Sequence, residues 1–255
     1  MFFRKGLPPG ADPQDAEEGR MPFLAHLGEL RQRIIVSVIA VGLAFVPPFI
    51  VSEQIITWLA QPIEPIKLVF LEPTEPFWVN MKVALIAGIF LVLPVLLYQV
   101  WAFIAPGLLP HERRFALPFV VLSTLMFFIG AAFALKVIIP FAVKFLVSYK
   151  TQNLVPTLSV NRYVDFVLKF TLAFGLVFEL PLALTLGTRL GLVTPEFLSK
   201  NRKYAILLCF VAAAILTPTP DAFNQLLMAG PLCLLYEAGI VASRLFGRSR
   251  KPAAA

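Results

Sequence analysis

Four stretches of the sequence are almost unbrokenly apolar: residues 34–51, 83–104, 115–135 and 166–187. Each comes close to the roughly 20 apolar residues that a helix needs to cross a bilayer. Two shorter runs follow, 204–216 and 226–241. At about 1.5 Å per residue the first of these spans only about 20 Å, against a hydrocarbon core of about 30 Å. Between them stands Thr217-Pro218-Thr219-Pro220-Asp221, which cannot continue a helix because proline has no N–H to donate and clashes with the preceding turn. The pattern predicts an all-α integral membrane protein of six spanning helices. Its fifth and sixth spans are short, a hairpin that barely crosses the bilayer or thins it locally. The alternative is that flanking polar residues extend both helices to full length. Residues 137–147 are apolar but too short to span, and Pro140 and Lys144 interrupt them. They read as an interfacial segment.

The loop at 52–78 holds Trp58, Trp78, several prolines and glutamates 53, 64, 72 and 75. It predicts an interfacial outer cap, with Ile55, Ile56, Trp58 and Leu59 laid on the membrane as one apolar face. Trp101 falls near the inner end of the second span, so all three tryptophans sit at predicted boundaries, where amphipathic rings gather. Most of the 22 lysines and arginines lie in alternate gaps, at 4–33, 113–114, 189–203 and 244–251. That excess marks the cytoplasmic face, and six spans then place both termini inside. Residues 1–20 lack the apolar core of a signal peptide. They read as a disordered cytoplasmic extension, followed by one membrane domain at 21–247 and a cytoplasmic tail at 248–255.

Composition agrees with the pattern. Of the 255 residues 58% are hydrophobic and 15% charged, where a soluble domain carries about 25% charged. With a mean hydropathy of +0.81, lipid must be much of the solvent. A net charge of +7 would elsewhere point to nucleic acid. Here the basic residues sit between apolar runs rather than among aromatics on a polar face, so no nucleic-acid partner is expected. Cys209 and Cys233 lie inside predicted spans and read as small hydrophobes, not as a disulfide framework. The sequence has no G-x-x-x-x-G-K-[ST], C-x-x-C or H-E-x-x-H. Its two histidines, His26 and His111, fall at the predicted inner rim, away from any serine in a span. Neither catalysis, a metal nor a cofactor is expected.

Several acids stand out against this background. Glu179 lies near the middle of the fourth span, in F-G-L-V-F-E-L-P. A charge at that depth costs about 2.5–3.5 kcal/mol or more and marks a functional site by default. It reads as a polar contact for a passing segment, as a proton acceptor, or as a packing lock to a neighbouring helix. Pro181 would loosen the helix beside it. Glu29 in H-L-G-E-L-R-Q-R and Glu112 in H-E-R-R are rim carboxylates flanked by arginines. Local salt bridging is one reading. The other is a pair of acceptors for an incoming guanidinium, which pairs with carboxylate bidentately as lysine cannot. Asp221 reads as the cap of the last helix, and Glu237 as a partner of Arg244 seven residues on.

The quoted motifs, with M-P-F-L-A-H-L-G-E-L-R-Q-R at 21–33, T-E-P-F-W at 74–78, P-V-L-L-Y-Q-V-W-A-F-I-A-P-G-L-L-P-H-E-R-R at 94–114, L-T-P-T-P-D-A-F-N-Q and P-L-C-L-L-Y-E-A-G-I within 216–240, closely resemble the TatC family. TatC is the polytopic receptor subunit of the twin-arginine protein translocase. The resemblance runs in order over about 21–247. It departs in one place, where the family's usual T-P-P-D is T-P-T-P-D.

This resemblance implies a receptor for twin-arginine signal peptides of folded cargo. It implies assembly with TatA- and TatB-like single-span proteins and with other copies of itself, in a bacterial-type cytoplasmic (inner) membrane, with export driven by the proton motive force. Matched to the family's motifs, Glu29 and Glu112 contact the signal arginines, and Arg31 and Phe103 share that surface. Glu179 is the intramembrane acid, Thr217 and Gln225 form a partner-docking patch, and Pro62 and Asp221 are sensitive outer-side positions. The residues alone leave a rival: a small-solute secondary transporter or proton channel with Glu179 as coupling site.

Overall fold

The computed structural model describes residues 23–64, 66–104, 116–148, 157–217 and 221–246. Those residues are mostly helical: α1 (Phe23–Ile50), α2 (Ser52–Ala60), α3 (Glu75–Leu91), α4 (Leu93–Ile104), α5 (Ala116–Phe133), α6 (Ile139–Ser148), α7 (Val160–Phe178), α8 (Leu180–Arg189), α9 (Pro195–Lys200), α10 (Arg202–Leu216) and α11 (Ala222–Phe246). Among the described residues four continuous helices are long and apolar enough to cross a membrane: Leu27–Ile50, Leu117–Ser148, Val160–Arg189 and Ala222–Phe246. The pair α3 and α4 makes a fifth if taken as one bent span. Phe170, Phe174, Val79 and Val83 are fully buried, in a core that joins α3, α7, α10 and α11, with Phe133 of α5 packed against it.

Three prolines shape the long helices differently. At Pro94 the run predicted as one span breaks into α3 and α4, bent by 59°, because Pro94 has no N–H for the helical bond to residue 90. At Pro140 the chain does not break. A π-helical turn, Ala134–Ile138, joins α5 to α6 and absorbs the ring in the first turn of the next segment. Residues 137–147 are thus the continuation of the third span, not a separate interfacial piece. At Pro181, the second residue of α8, the helix pauses over a single residue, Glu179.

The last hairpin corrects the expectation of two short spans. With 15 residues, α10 is about 22 Å long, short as expected. With 25 residues, α11 reaches about 37 Å, long enough to cross. Its polar ends are drawn into the helix: Asp221 accepts from the Asn224 backbone N–H at 2.7 Å and from its side-chain amide at 2.9 Å. That is the capping role expected of Asp221. Cys209 and Cys233, one on each helix, are free thiols.

The outer cap also differs from expectation. Leu59 of α2 is buried, and Ile55 and Ile56 pack against the central core, so these faces meet protein rather than membrane. Trp58 and Trp78 remain about half exposed, as ring anchors should. Two parallel strands, β1 (Leu68–Val69) and β2 (Leu158–Ser159), pair the loop after α2 with the one before α7. They are the non-helical pairing among the described residues. Buried Glu75 locks the junction: its carboxylate accepts from the Leu71 N–H and from the Ser159 hydroxyl, both at 3.0 Å. Two turns further along α3, Lys82 pairs with Asp165 of α7 at 2.7 Å and donates to Asn161 at 2.8 Å. Neutralising each other, these side chains can lie within two apolar helices.

Candidate functional site

One end of the bundle is built around the start of α1 and the end of α4. Arg33 donates through Nη2 to Glu29 Oε1 at 2.7 Å and through Nη1 to Gln99 at 3.0 Å. The guanidinium thereby ties one turn of α1 to α4, as an i, i+4 pair on a helix allows. The second carboxylate oxygen of Glu29, Oε2, is buried with no hydrogen-bond partner among the described residues. An ionised carboxylate has about four acceptor positions. A buried acceptor left unfilled costs about 1–3 kcal/mol, so this oxygen favours a donor from beyond the described residues. Arg31 is exposed and, two residues from both Glu29 and Arg33, points away from that pair. Phe103, partly buried in the last turn of α4, lies one turn beyond Gln99 and on the same face. Glu112 and His111 fall outside the described residues.

Trp101, expected at the membrane boundary, is instead buried, with its ring stacked on Phe119 of α5 at 4.5 Å between centroids. Its indole nitrogen has no partner among the described residues. The expected pairing of Glu237 with Arg244 is also replaced. Glu237 pairs with Arg202 of α10 at 2.8 Å, and Arg244 donates to Ser199 at 2.7 Å. Charges at the ends of α10 and α11 thus bridge helices rather than run along one of them.

Glu179 occupies the pause between α7 and α8. Its N–H donates to the Leu176 carbonyl at 3.1 Å and its carbonyl accepts from Ala183 at 2.8 Å, a tightened turn forced by Pro181. The buried hydroxyl of Ser123, on α5, donates to its side chain. Oε1 has no partner among the described residues. Behind it α11 crosses closely at Gly239, where an added Cβ would stand 2.6 Å from a Leu184 methyl and 3.2 Å from Pro181 Cα. The break and its acid are therefore held from both sides. Ser123 is the contact that sequence reasoning missed, for a serine in an apolar run carries no periodic signal of its own.

The remaining candidates lie toward the opposite end. Thr217 closes α10, its hydroxyl donating to the Ala213 carbonyl at 2.7 Å. Gln225, one turn into α11, donates across the hairpin to the Phe210 carbonyl at 3.2 Å. The two belong to one hairpin end, but Gln225 is in register with Phe210, two turns from Thr217. Pro62 sits in a 3₁₀ turn, Gln61–Ile63, behind which the Tyr163 hydroxyl donates to the Leu59 carbonyl at 2.7 Å. Among the described residues no group of His, Cys, Asp and Glu could hold a metal.

Comparison with known proteins matches this arrangement. The sequence model of a family described as Sec-independent protein translocase protein (TatC) matches residues 25–231. The TatC protein of Desulforapulum autotrophicum is 43% identical over 239 residues, 92% of this chain and 88% of that one. That of Aquifex aeolicus is 41% identical over 237 residues, 91% of this chain and 98% of that one. A crystal structure of the twin arginine translocase receptor TatC superposes with a TM-score of 0.79 at 41% identity, covering 88% of this chain and 100% of the other.

Proposed function

Because this chain belongs to the TatC family, a membrane component of the Sec-independent protein translocase, we propose that it is the receptor that binds twin-arginine signal peptides of folded cargo. The observation that carries the reading is the half-satisfied carboxylate of Glu29, with Arg33 on one oxygen and nothing described on the other. A signal arginine supplies the N–H donors that the second oxygen lacks, in the bidentate geometry that lysine cannot reproduce. Glu112 supplies the second acceptor, and Arg31 and Phe103 complete the rim. In this reading α10 is a sixth span, short enough to thin the bilayer, and the excess of lysine and arginine in alternate gaps supports both termini and this rim lying in the cytoplasm, at a bacterial-type inner membrane. Thr217 and Gln225 receive a TatA- or TatB-like helix at the opposite end of α10, and further copies assemble alongside. Pro62 and Asp221 hold the outer side in shape. Export then runs on the proton motive force without nucleotide.

The test is equilibrium binding of fluorescent signal peptides to the purified protein. A peptide with Arg-Arg should bind about tenfold or more tightly than its Lys-Lys counterpart, the loss of one charge-assisted hydrogen bond or more. Equal affinities would remove the receptor assignment.

Glu179 is the second functional element, a polar contact in an otherwise apolar path. Glu179→Ala is expected to lower export of a twin-arginine reporter several-fold while protein abundance in the membrane falls little. If abundance and export fall in parallel, the acid is a packing lock to Ser123 and nothing more.

A further inference from the structure

We propose that this chain holds one anionic phospholipid at the end of the bundle opposite Glu29, with an acyl chain in a cavity between α6 and α7 and the lipid phosphate on Arg162. The cavity measures about 290 Å³, close to the lower bound of about 300 Å³ for ligand pockets. Val143, Leu146 and Val147 of α6 wall one side, and Tyr163 and Phe166 of α7 the other. Both helices belong to segments long and apolar enough to cross a membrane, one ending at Ser148 and the other beginning at Val160. The slot therefore lies where two spans meet the edge of the bilayer, and acyl chains are the apolar groups at hand there. Its α7 wall is held in place. The Tyr163 hydroxyl donates to the Leu59 carbonyl at 2.7 Å, and the Phe166 ring packs on Phe170 with 4.7 Å between centroids. A preformed slot takes a chain at little cost in ordering the protein.

The cavity also carries a cation whose donors are unused. Arg162, exposed in the first turn of α7, lines it. Its backbone N–H donates to the Ser159 hydroxyl oxygen at 3.4 Å, while its guanidinium makes no hydrogen bond or ion pair among the described residues. The acids close by are engaged elsewhere. Asp165, three residues on, pairs with Lys82 at 2.7 Å. Glu75, buried behind Ser159, accepts from that hydroxyl and from the Leu71 N–H. All five N–H donors of the guanidinium remain for an oxyanion, and a phosphate accepts two of them in parallel. The first turn of a 19-residue helix adds its partial positive charge at the same place. Exposed Thr157 lines the cavity too and carries a hydroxyl. A zwitterionic headgroup presents the same phosphate but brings an ammonium, which the guanidinium and the helix end both repel. The site requires that α6 and α7 lie in lipid; it requires neither the receptor reading nor one orientation of the bundle.

The test is native mass spectrometry of delipidated protein in a neutral detergent, titrated separately with dioleoylphosphatidylglycerol, dioleoylphosphatidylcholine and inorganic phosphate. One phosphatidylglycerol per chain should bind at concentrations about fivefold or more below phosphatidylcholine, the preference that one arginine near the surface confers. Inorganic phosphate should give no adduct, because the acyl slot supplies part of the affinity. Arg162→Gln changes an exposed side chain without a partner, so it should fold normally and erase the preference. Val143→Phe and Leu146→Trp should weaken both lipids by filling the slot, with thermal unfolding used to confirm that each variant folds. Equal binding of the two lipids, a preference that survives Arg162→Gln, or undiminished adducts in both folded slot-filling variants would each overturn the site. So would a phosphate adduct of equal strength, which would mark an anion site without a lipid. No signal peptide enters this assay, so its failure leaves the Arg-Arg against Lys-Lys comparison standing, and the reverse holds too.

Discussion

Gly130→Leu is expected to leave little folded protein in the membrane, and Gly130→Ala to lower its yield and its unfolding temperature. Helices α5 and α7 cross at a pair of glycines, each filled by the other's phenylalanines. A Cβ on Gly130 would stand 2.8 Å from the Phe178 side chain and would also strike the Phe174 carbonyl oxygen. On the facing helix a Cβ on Gly175 would stand 2.6 Å from the Phe127 ring. A backbone carbonyl cannot rotate away as a side-chain tip can, so the helices must part. Overpacking of this kind costs about 1–3 kcal/mol for a small insertion and more for a large one, against a typical net stability of about 5–15 kcal/mol. Between helices in lipid the loss weighs heavily, because close packing is what holds them together.

The same crossing carries Ser123 to Glu179, two turns from Gly130, so parting the helices also strips the acid of its partner. Gly42 is the control: it lies within α1, and a Cβ there meets nothing within 4 Å. Gly42→Ala should leave abundance unchanged or slightly raised, since alanine is the better helix former. Similar losses at Gly42 and Gly130 would show that glycine is needed for some reason other than the crossing.

Depth in the membrane was legible from the sequence; neighbourhood was not. The runs at 34–51, 115–135 and 166–187 became α1, α5 and the α7–α8 pair, because lipid imposes a length that residue counting can read. The run at 226–241 fell short of α11 because it counted apolar residues only, and polar Asn224 and Ser243 lie beyond its two ends. Both are buried, and a helix end packed on protein need not be apolar. The Lys82–Asp165 pair left a trace that went unread. Runs two and four began at 83 and 166, each cut by a charge one residue earlier, and two such charges of opposite sign at like depth are a pair in waiting. A one-dimensional pattern gives their height but not which helices are adjacent.

Trp101 and Pro140 misled for a related reason. A ring counted as a boundary anchor is a packing partner of Phe119, and a proline counted as an interruption is absorbed by a π-helical turn. At the rim, Glu29 and Arg33 were visible as i, i+4 neighbours in one motif and Gln99 stood in another. Only three dimensions join them.

Glu29→Gln combined with Glu112→Gln is expected to abolish crosslinking of a twin-arginine signal peptide while membrane abundance stays near normal. Glutamine keeps the shape of glutamate but loses its charge and presents an NH₂ where a guanidinium brings only donors. Each charge-assisted hydrogen bond contributes about 1.5–3 kcal/mol, so each substitution alone should weaken binding about tenfold to a hundredfold. Folding loses less. The Glu29–Arg33 pair is partly exposed on both sides, and such pairs contribute about 0–1 kcal/mol. The two single variants and the double then divide the possibilities. If each carboxylate holds its own arginine, the losses add; if both grip one, the second substitution costs much less than the first. In either case the preference for Arg-Arg over Lys-Lys should shrink toward unity with the carboxylates gone, because that preference lives in the acceptor geometry. Crosslinking that persists in an abundant double variant would mean that the signal arginines find their acceptors elsewhere, and that the open oxygen of Glu29 serves the chain itself.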